Sequence, residues 1–143
     1  MLAARTTELD LMQGWFDSDP EHARVQVAFP INKWAGSHDS AVVYFEVKPG
    51  DRLPRHTDSA EEILYFVAGE AEAEVGDERG RVSAGDLAVI PAMVPHGLVN
   101  VGTETVKVVG FFSEAEITSS FDEPIQPIGM DVVTQGAPAP VSA

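Results

Sequence analysis

Two short segments of the chain carry imidazole and carboxylate side chains at spacings that suit β-strands. In the first segment, His56, Asp58 and Glu62 lie an even number of positions apart, so an extended backbone places their side chains on one face. Leu64 and Phe66 continue the same parity, which makes that face apolar beyond the polar group. The pattern predicts that this face, with its imidazole and carboxylates, points into the protein.

The second segment begins with another imidazole, His96, and Leu98 and Asn100 share its parity. A β-barrel can bring the two inward faces together. Because the chain contains no cysteine, disulfides, thiolate zinc sites, cysteine nucleophiles and iron–sulfur clusters are excluded. Any metal must therefore be held by histidine nitrogen and by oxygen.

These segments resemble the two motifs of the cupin superfamily, G-x5-H-x-H-x3-E-x6-G and G-x5-P-x-G-x2-H-x3-N. The matching positions are Gly50, His56, Asp58, Glu62 and Gly69 in the first motif and Gly85, Pro91, Met93, His96 and Asn100 in the second. Two positions depart from the pattern, since Asp58 replaces the second His and Met93 replaces a Gly. The spacing has no insertions, and two gapped motifs in order are a specific signal.

The resemblance implies one divalent metal ion held by His56, Glu62 and His96, which match the family's ligand positions. Two imidazoles and a carboxylate favour Fe(II) or Mn(II), and Zn, Ni or Co are tolerated. Asp58 is either a fourth ligand, a group that supports the ligands, or a base toward substrate. The alternatives are a solvated loop carboxylate for Asp58 and, for the whole site, a cupin that has lost its metal. Glu62 and Asp58 are the expected catalytic residues.

Further side chains are candidates for lining a pocket near the metal. They are Tyr44, Tyr65, Phe66, Met93 and Leu98. The two tyrosine hydroxyls need partners, which keeps them as candidates, although core packing is the alternative for most of these residues. At Met93 the backbone must avoid a positive φ or accept strain.

The elements that must position these residues are short β-strands, because the dominant hydrophobic period is two. Strands are predicted at residues 24–29, 41–47, 63–68, 70–75, 81–84, 86–90, 96–101 and 106–112. Short strands at this spacing predict an all-β sandwich or barrel. The resemblance narrows the choice to a double-stranded β-helix, the jelly-roll barrel of the cupins.

The chain is expected to form a single domain, residues 1–143, with motif one at 50–69, a hairpin at 70–84 and motif two at 85–100. Residues 6–16 could form a short helix or an extended arm. A strand at 116–121 precedes an irregular, extended C-terminal arm, and residues 136–143 are expected to fray. Because Ile125, Ile128 and Met130 are apolar, the arm should pack on its own barrel or on a second subunit. A homodimer is therefore expected.

The charge balance disfavours some partners. The 23 acidic residues against 9 basic ones give a net charge of −14, the wrong sign for nucleic acid or an anionic membrane. No apolar run approaches the roughly 18 residues of a spanning helix, and Glu8 and Asp10 interrupt any export signal. A cytoplasmic protein with a small-molecule partner is expected.

Three functions fit these residues. The first is a metal-dependent dioxygenase acting on an enol-like or phenol-like substrate that binds through its oxygens. The second is a non-redox cyclase, isomerase or lyase in which the metal is a Lewis acid and Asp58 or Glu62 moves a proton. The third is a small-molecule-binding cupin without turnover. A redox-inactive metal such as Zn would exclude dioxygenation.

Overall fold

The computed structural model describes residues 1–138, whose regular secondary structure is almost entirely β. The strands are numbered in chain order: β1 (Met12–Phe16), β2 (Arg24–Ile31), β3 (Ala41–Val47), β4 (Arg52–Asp58), β5 (Glu62–Ala68), β6 (Glu70–Val75), β7 (Glu78–Ser83), β8 (Leu87–Ile90), β9 (His96–Asn100), β10 (Val106–Phe112), β11 (Thr118–Gln126) and β12 (Met130–Thr134). One turn of 3-10 helix covers Lys33–Ala35. Within residues 1–138, no helix has the length and apolar character needed to cross a membrane.

The strands form one curled antiparallel sheet with the architecture of a jelly-roll barrel. Its hydrogen-bonded order is β7-β6-β9-β4-β11-β1-β2-β3-β10-β5-β8, and β12 pairs with β11. Strands distant in sequence become neighbours, such as β4 with both β9 and β11. This order brings residues of both motifs to the same wall of the barrel.

The apolar core lies inside the curled sheet, and strand alternation fills it. In β5, Leu64 and Phe66 are buried while Ile63, Tyr65 and Val67 face outward. The same alternation buries Val106 and Val108 in β10. The inward face of β5 that begins with Glu62 therefore lines the barrel interior, as the parity of the sequence predicts.

The two ends of the chain are more regular than the sequence pattern alone indicates. Of the helix and the extended arm considered for residues 6–16, the structure has strand β1, which pairs with both β2 and β11. After residue 121 the arm is not irregular, because β11 continues to Gln126 and forms a hairpin with β12. Ile125 packs into the chain's own core, in the space left by the missing side chain of Gly14.

The segment 136–143, expected to fray, is described only in its first residues. Gly136 has a φ of +71° and lies directly against the side chain of Asn32. Ala137 donates its backbone N–H to the carbonyl of Thr134. Residues 139–143 lie outside the described part of the chain.

Candidate metal centre

The two histidines of the motifs face each other across a pair of neighbouring strands. The register of β4 against β9 pairs His56 with His96, and their ring centroids are 4.2 Å apart. A Cβ atom at Gly97 would lie 2.7 Å from the carbonyl oxygen of Leu53, so the strands approach this closely only because residue 97 is glycine. The close approach of β4 and β9 thus brings the two imidazoles together.

Both imidazoles are oriented by backbone carbonyl groups. Nδ1 of His56 lies 2.8 Å from the carbonyl oxygen of Pro54, and Nδ1 of His96 lies 2.9 Å from that of Val94. A carbonyl oxygen can only accept, so each Nδ1 carries the hydrogen and donates it. Each Nε2 is then left to face the interior, which is the orientation of a metal-binding histidine.

The carboxylate of Asp58, at the end of β4, completes a cluster with these two nitrogens. Its Oδ2 is 3.0 Å from Nε2 of His96 and 3.7 Å from Nε2 of His56, and the residue is only 3% exposed. Potential ligand atoms of His56, Asp58 and His96 all lie within 4.8 Å of one another. The alternative of a solvated loop carboxylate for Asp58 is therefore wrong, because the pairing of β4 with β11 buries it.

Glu62, at the start of β5, is buried beside this cluster rather than inside it. Its Oε1 lies 3.6 Å from Nε2 of His96, but Glu62 does not belong to the group of mutually close ligand atoms. Its Oε2 sits over Gly110 of the adjacent strand β10, where a Cβ atom would be 2.2 Å away. The carboxylate that the resemblance implies as a ligand is thus adjacent to the cluster, held in the space above a glycine.

Burial and the charges of neighbouring groups shift the pKa values of Glu62, His96 and Asp58. Burial raises the pKa of Glu62 to about 7 against the hydrogen bond from His96, and the charge of Asp58 adds to the increase. Burial lowers the pKa of His96, but hydrogen bonds to Asp58 and Glu62 outweigh this effect and raise it to about 10. Despite burial, contacts with both histidines hold the pKa of Asp58 below its usual range.

The pKa of His56 shifts in the opposite direction to that of His96. Burial and the nearby charge of His96 lower the pKa of His56, although Asp58 and the carbonyl group of Pro54 oppose this change. At neutral pH the metal-free site therefore carries a proton on His96 and a negative charge on Asp58, while Glu62, with a pKa of about 7, is partly protonated.

These groups open into an apolar cavity of about 90 Å³ inside the barrel. Its walls include Val27, Phe45, Leu64, Phe112 and Phe121. Within the described part of the chain, no lysine or arginine lines it. The polar cluster is therefore set in the wall of a cavity that offers no side-chain cation other than histidine.

The predicted pocket residues divide into two groups. Phe66 and Leu98 line the cavity, whereas Tyr44, Tyr65 and Met93 do not. Tyr65 faces outward because it has the opposite parity to Phe66 in β5, and the hydroxyl of Tyr44 donates to Glu46 at 2.6 Å. Met93 is 59% exposed and adopts a φ of 63°, so the turn keeps the backbone shape of the motif glycine.

Three residues of the site, all from the C-terminal part of the chain, are not among those predicted from the sequence. The ring of Phe121 stacks on that of His56, with centroids 5.1 Å apart. Ser119 and Gln135 extend a buried hydrogen-bond chain from Asp58. Ile117, Ser119 and Phe121 occupy alternate positions of the strand predicted at 116–121 and so share one face. This shared face is the only sequence signal for Ser119 and Phe121. No signal marks Gln135.

Several solved structures are similar to this chain. One is the oxalate decarboxylase of Lactobacillus farciminis in its formate complex, at 24% identity and a TM-score of 0.65, over 77% of this chain and only 33% of that one. Another is the polyketide cyclase RemF of Streptomyces resistomycificus, at 21% identity and a TM-score of 0.63, over 78% of each chain. The Cnp3 cupin domain of Schizosaccharomyces pombe matches at 14% identity and a TM-score of 0.65, over 79% of this chain and 74% of that one.

These likenesses show a shared fold, and sequence comparison adds the family. Comparison with curated proteins found no match. The family model described as the cupin domain matches residues 43–112, a range that includes every position of both motifs. With its barrel architecture and its two motifs, the chain belongs to the cupin superfamily.

Proposed function

We propose that this cupin binds one divalent metal ion through His56, Asp58 and His96 and is an enzyme acting on a small organic substrate in the apolar cavity. The observation that carries the proposal is the convergence of three ligand atoms, the two Nε2 atoms and Oδ2 of Asp58. Both Nε2 atoms are directed into the site because each Nδ1 is bound to a backbone carbonyl. Two nitrogens and a hard carboxylate oxygen fit Fe(II) or Mn(II) best.

The role we assign to Glu62 is to move a proton beside the metal. When bound, the ion would polarise a substrate oxygen and, as Fe(II) or Mn(II), allow reaction with dioxygen. In the metal-free site burial raises the pKa of Glu62 to about 7, and a carboxyl group in such an environment can accept and return a proton near neutral pH. Glu62 is placed for this because its Oε1 lies 3.6 Å from Nε2 of His96, next to the proposed ligands.

The cavity supports a neutral enol or phenol as the substrate. Passing the hydroxyl proton of such a substrate to Glu62 moves one negative charge from the carboxylate to the substrate, so the total charge in the cavity stays constant. A dianion such as oxalate would instead add two negative charges where no lysine or arginine of the described residues lines the wall. Although one similar structure is an oxalate decarboxylase, the apolar walls favour a less charged substrate.

Dioxygenation is the reaction we propose first. A non-redox cyclisation, isomerisation or elimination is the second candidate, and the pKa of Glu62 favours it, since proton transfer alone would then carry the chemistry. The two differ in the metal they require. Only the first needs a redox-active ion and consumes oxygen.

The test begins with elemental analysis of the untagged protein, purified without added metal. The protein is then reloaded with Fe(II), Mn(II) or Zn(II) and assayed against a panel of catechols and enols, with oxygen uptake followed by an electrode. Uptake with Fe(II) or Mn(II) supports dioxygenation, whereas turnover with Zn(II) supports the second candidate. Metal binding without turnover would indicate a binding protein, and the absence of metal binding would refute the proposal.

A matched pair of histidine variants locates the site in the same experiment. His96→Ala removes a proposed ligand, whereas His38→Ala removes an exposed imidazole from a distant loop. We expect His96→Ala to lose the metal and to remain folded, and His38→Ala to bind metal as the unsubstituted chain does. Equal metal content in the two variants would contradict the assignment.

For the homodimer, the apolar outer face of the sheet is the surface we propose. Six large side chains that are 39–69% exposed lie together there: Ile63, Tyr65, Val67, Leu87, Val89 and Phe111. Their strands are neighbours, and β8 ends the sheet order. The patch is on the order of several hundred Å², a large part of the roughly 800 Å² that each partner buries in a standard interface.

A second copy of this chain is the occupant that suits the face. The same uncharged patch on both copies is self-complementary across a two-fold axis. The rest of the chain carries most of the net charge of −14, so two copies repel each other least where they meet through this face.

A further inference from the structure

The two oxygens of Asp58 have different partners. Oδ2 faces the Nε2 atoms of His96 and His56, at 3.0 Å and 3.7 Å. Oδ1 points away from them and accepts a hydrogen bond from the hydroxyl of Ser119 at 2.6 Å. Ser119 lies directly opposite Asp58 in the pairing of β4 with β11, so the contact is set by the strand register.

A second hydrogen bond fixes the direction of the first. Nε2 of Gln135 donates to Oγ of Ser119 at 2.9 Å, which occupies the hydroxyl oxygen and leaves its only proton for Asp58. If the amide of Gln135 were turned over, its oxygen would compete for that proton. Oδ1 of the ionised Asp58 would then face a hydroxyl oxygen at 2.6 Å with no hydrogen between them. The donor order Gln135 to Ser119 to Asp58 is therefore the one that satisfies all three groups.

This chain of hydrogen bonds is buried and rigidly held. Asp58, Ser119 and Gln135 are 3%, 4% and 8% exposed. The backbone N–H of Gln135 donates to the carbonyl of Ile117 at 2.8 Å, which anchors the residue just beyond β12 to the start of β11. Hydrogen bonds to a buried ionised group are among the stronger ones, so the carboxylate of Asp58 has little freedom to rotate.

From these contacts we infer that Ser119 and Gln135 are positioning residues that hold Asp58 as a ligand with a single oxygen, Oδ2. The inference rests on the proposed function, because it assigns these residues to the proposed metal ion. With Oδ1 held by Ser119, the carboxylate cannot turn both oxygens toward the ion. That restriction leaves coordination positions free for substrate. It also links the C-terminal hairpin, through Gln135, to the metal site.

The test measures Co²⁺ affinity and the visible absorption of bound Co²⁺, which responds to its coordination number. Ser119→Ala removes the donor to Asp58, and Gln135→Met removes the donor to Ser119 at similar side-chain length. Ser119→Thr retains a hydroxyl, and Ser120→Ala is the control on the opposite face of the same strand. The melting temperature of each metal-free variant reports structural effects separately.

We expect Ser119→Ala to bind Co²⁺ about 10–100-fold more weakly with an altered spectrum, as is usual when a partner of a metal ligand is lost. Gln135→Met should show a smaller loss in the same direction, Ser119→Thr should restore most of the affinity, and Ser120→Ala should match the unsubstituted chain. If Ser119→Ala does not fold, Gln135→Met decides the matter.

Two results would overturn the inference in distinguishable ways. A lower melting temperature with unchanged Co²⁺ affinity and spectrum in Ser119→Ala and Gln135→Met would show a purely structural role and leave the proposed function intact. Absence of Co²⁺ binding by the unsubstituted chain would overturn the proposed function and this inference with it.

Discussion

Replacing Gly110 with alanine should displace the carboxylate of Glu62 and leave the three proposed ligands in place. The nearest atoms to a Cβ at this position are Oε2 of Glu62, at 2.2 Å, and Cγ1 of Val43, at 2.8 Å. Ordinary contact begins at 3.4 Å, so the carboxylate must move by 3.4 − 2.2 = 1.2 Å and the valine methyl by 3.4 − 2.8 = 0.6 Å. Strands β3 and β5 flank Gly110 on both sides, so the backbone can yield little.

The expected stability loss follows from this crowding. Inserting one methyl group into a packed interior destabilises a protein by about 1–3 kcal/mol. For a chain of about this size, each kcal/mol lowers the melting temperature by roughly 2–4 °C. Gly80→Ala is the matched control, because a Cβ there meets nothing within 4 Å. The control should leave stability unchanged or raise it by up to about 1 kcal/mol.

The assay is urea unfolding of both metal-free variants, followed by metal titration and turnover on whichever substrate the panel yields. Gly110→Ala should unfold at lower urea concentration, retain metal affinity and lose turnover, because Glu62 has left its place beside His96. Unfolding like that of Gly80→Ala would refute the steric reasoning. A loss of metal affinity as large as the loss of turnover would show instead that Glu62 belongs to the ligand set.

Three further outcomes test the site and the surface. Asp58→Ala should weaken metal binding by more than about 100-fold, because it removes a proposed ligand. Glu62→Gln should weaken it by about 10–100-fold at most, because Glu62 lies beside the ligands. Equal losses of affinity in calorimetry would contradict the assignment of Asp58 as a ligand. Because metal-free His96 keeps its proton up to a pH of about 10, metal binding at pH 8 should release about one proton and strengthen as the pH rises. Calorimetric heats that are the same in buffers of different ionisation enthalpy would contradict this release. Leu87→Lys should convert the proposed dimer to a monomer, as measured by light scattering. Val132→Lys, at a residue exposed on another face, should leave the dimer intact. A monomeric unsubstituted chain would refute the proposed interface.

Much of the fold follows from strand alternation in the sequence. The strands predicted at 41–47, 70–75 and 106–112 coincide with β3, β6 and β10. In these segments polar and apolar residues alternate, or apolar residues follow one another without interruption. Strand β4 is not marked in this way, since Arg52, Pro54 and Arg55 interrupt its pattern. It is a strand because β9 and β11 flank it, and those partners are distant in the sequence.

Only those contacts of the candidate site that join two motif residues could be predicted from the sequence. The pairing of His56 with His96 follows once the two motif faces line one barrel. The burial of Asp58 depends on Ser119, which is 61 positions away, and the place of Glu62 depends on the absence of a side chain at Gly110. Contacts of this kind are set by strand order, which local sequence patterns do not contain.

The substitution of Asp58 for the motif histidine and the placement of Glu62 outside the cluster are physically connected. The protonated imidazole of His96 contacts both carboxylates but lies closer to Asp58, at 3.0 Å against 3.6 Å for Glu62. Two buried carboxylates beside one cation do not ionise equally easily, because the charge of the first disfavours the charge of the second. The negative charge settles on Asp58, which accepts hydrogen bonds from Ser119 and His96, and it then helps burial to raise the pKa of Glu62 to about 7. A histidine at position 58 would remove that repulsion and leave Glu62 as the only carboxylate available to an ion. With aspartate there, one carboxylate is suited to hold the metal and the other to exchange protons, the separation that acid–base catalysis by paired carboxyl groups requires.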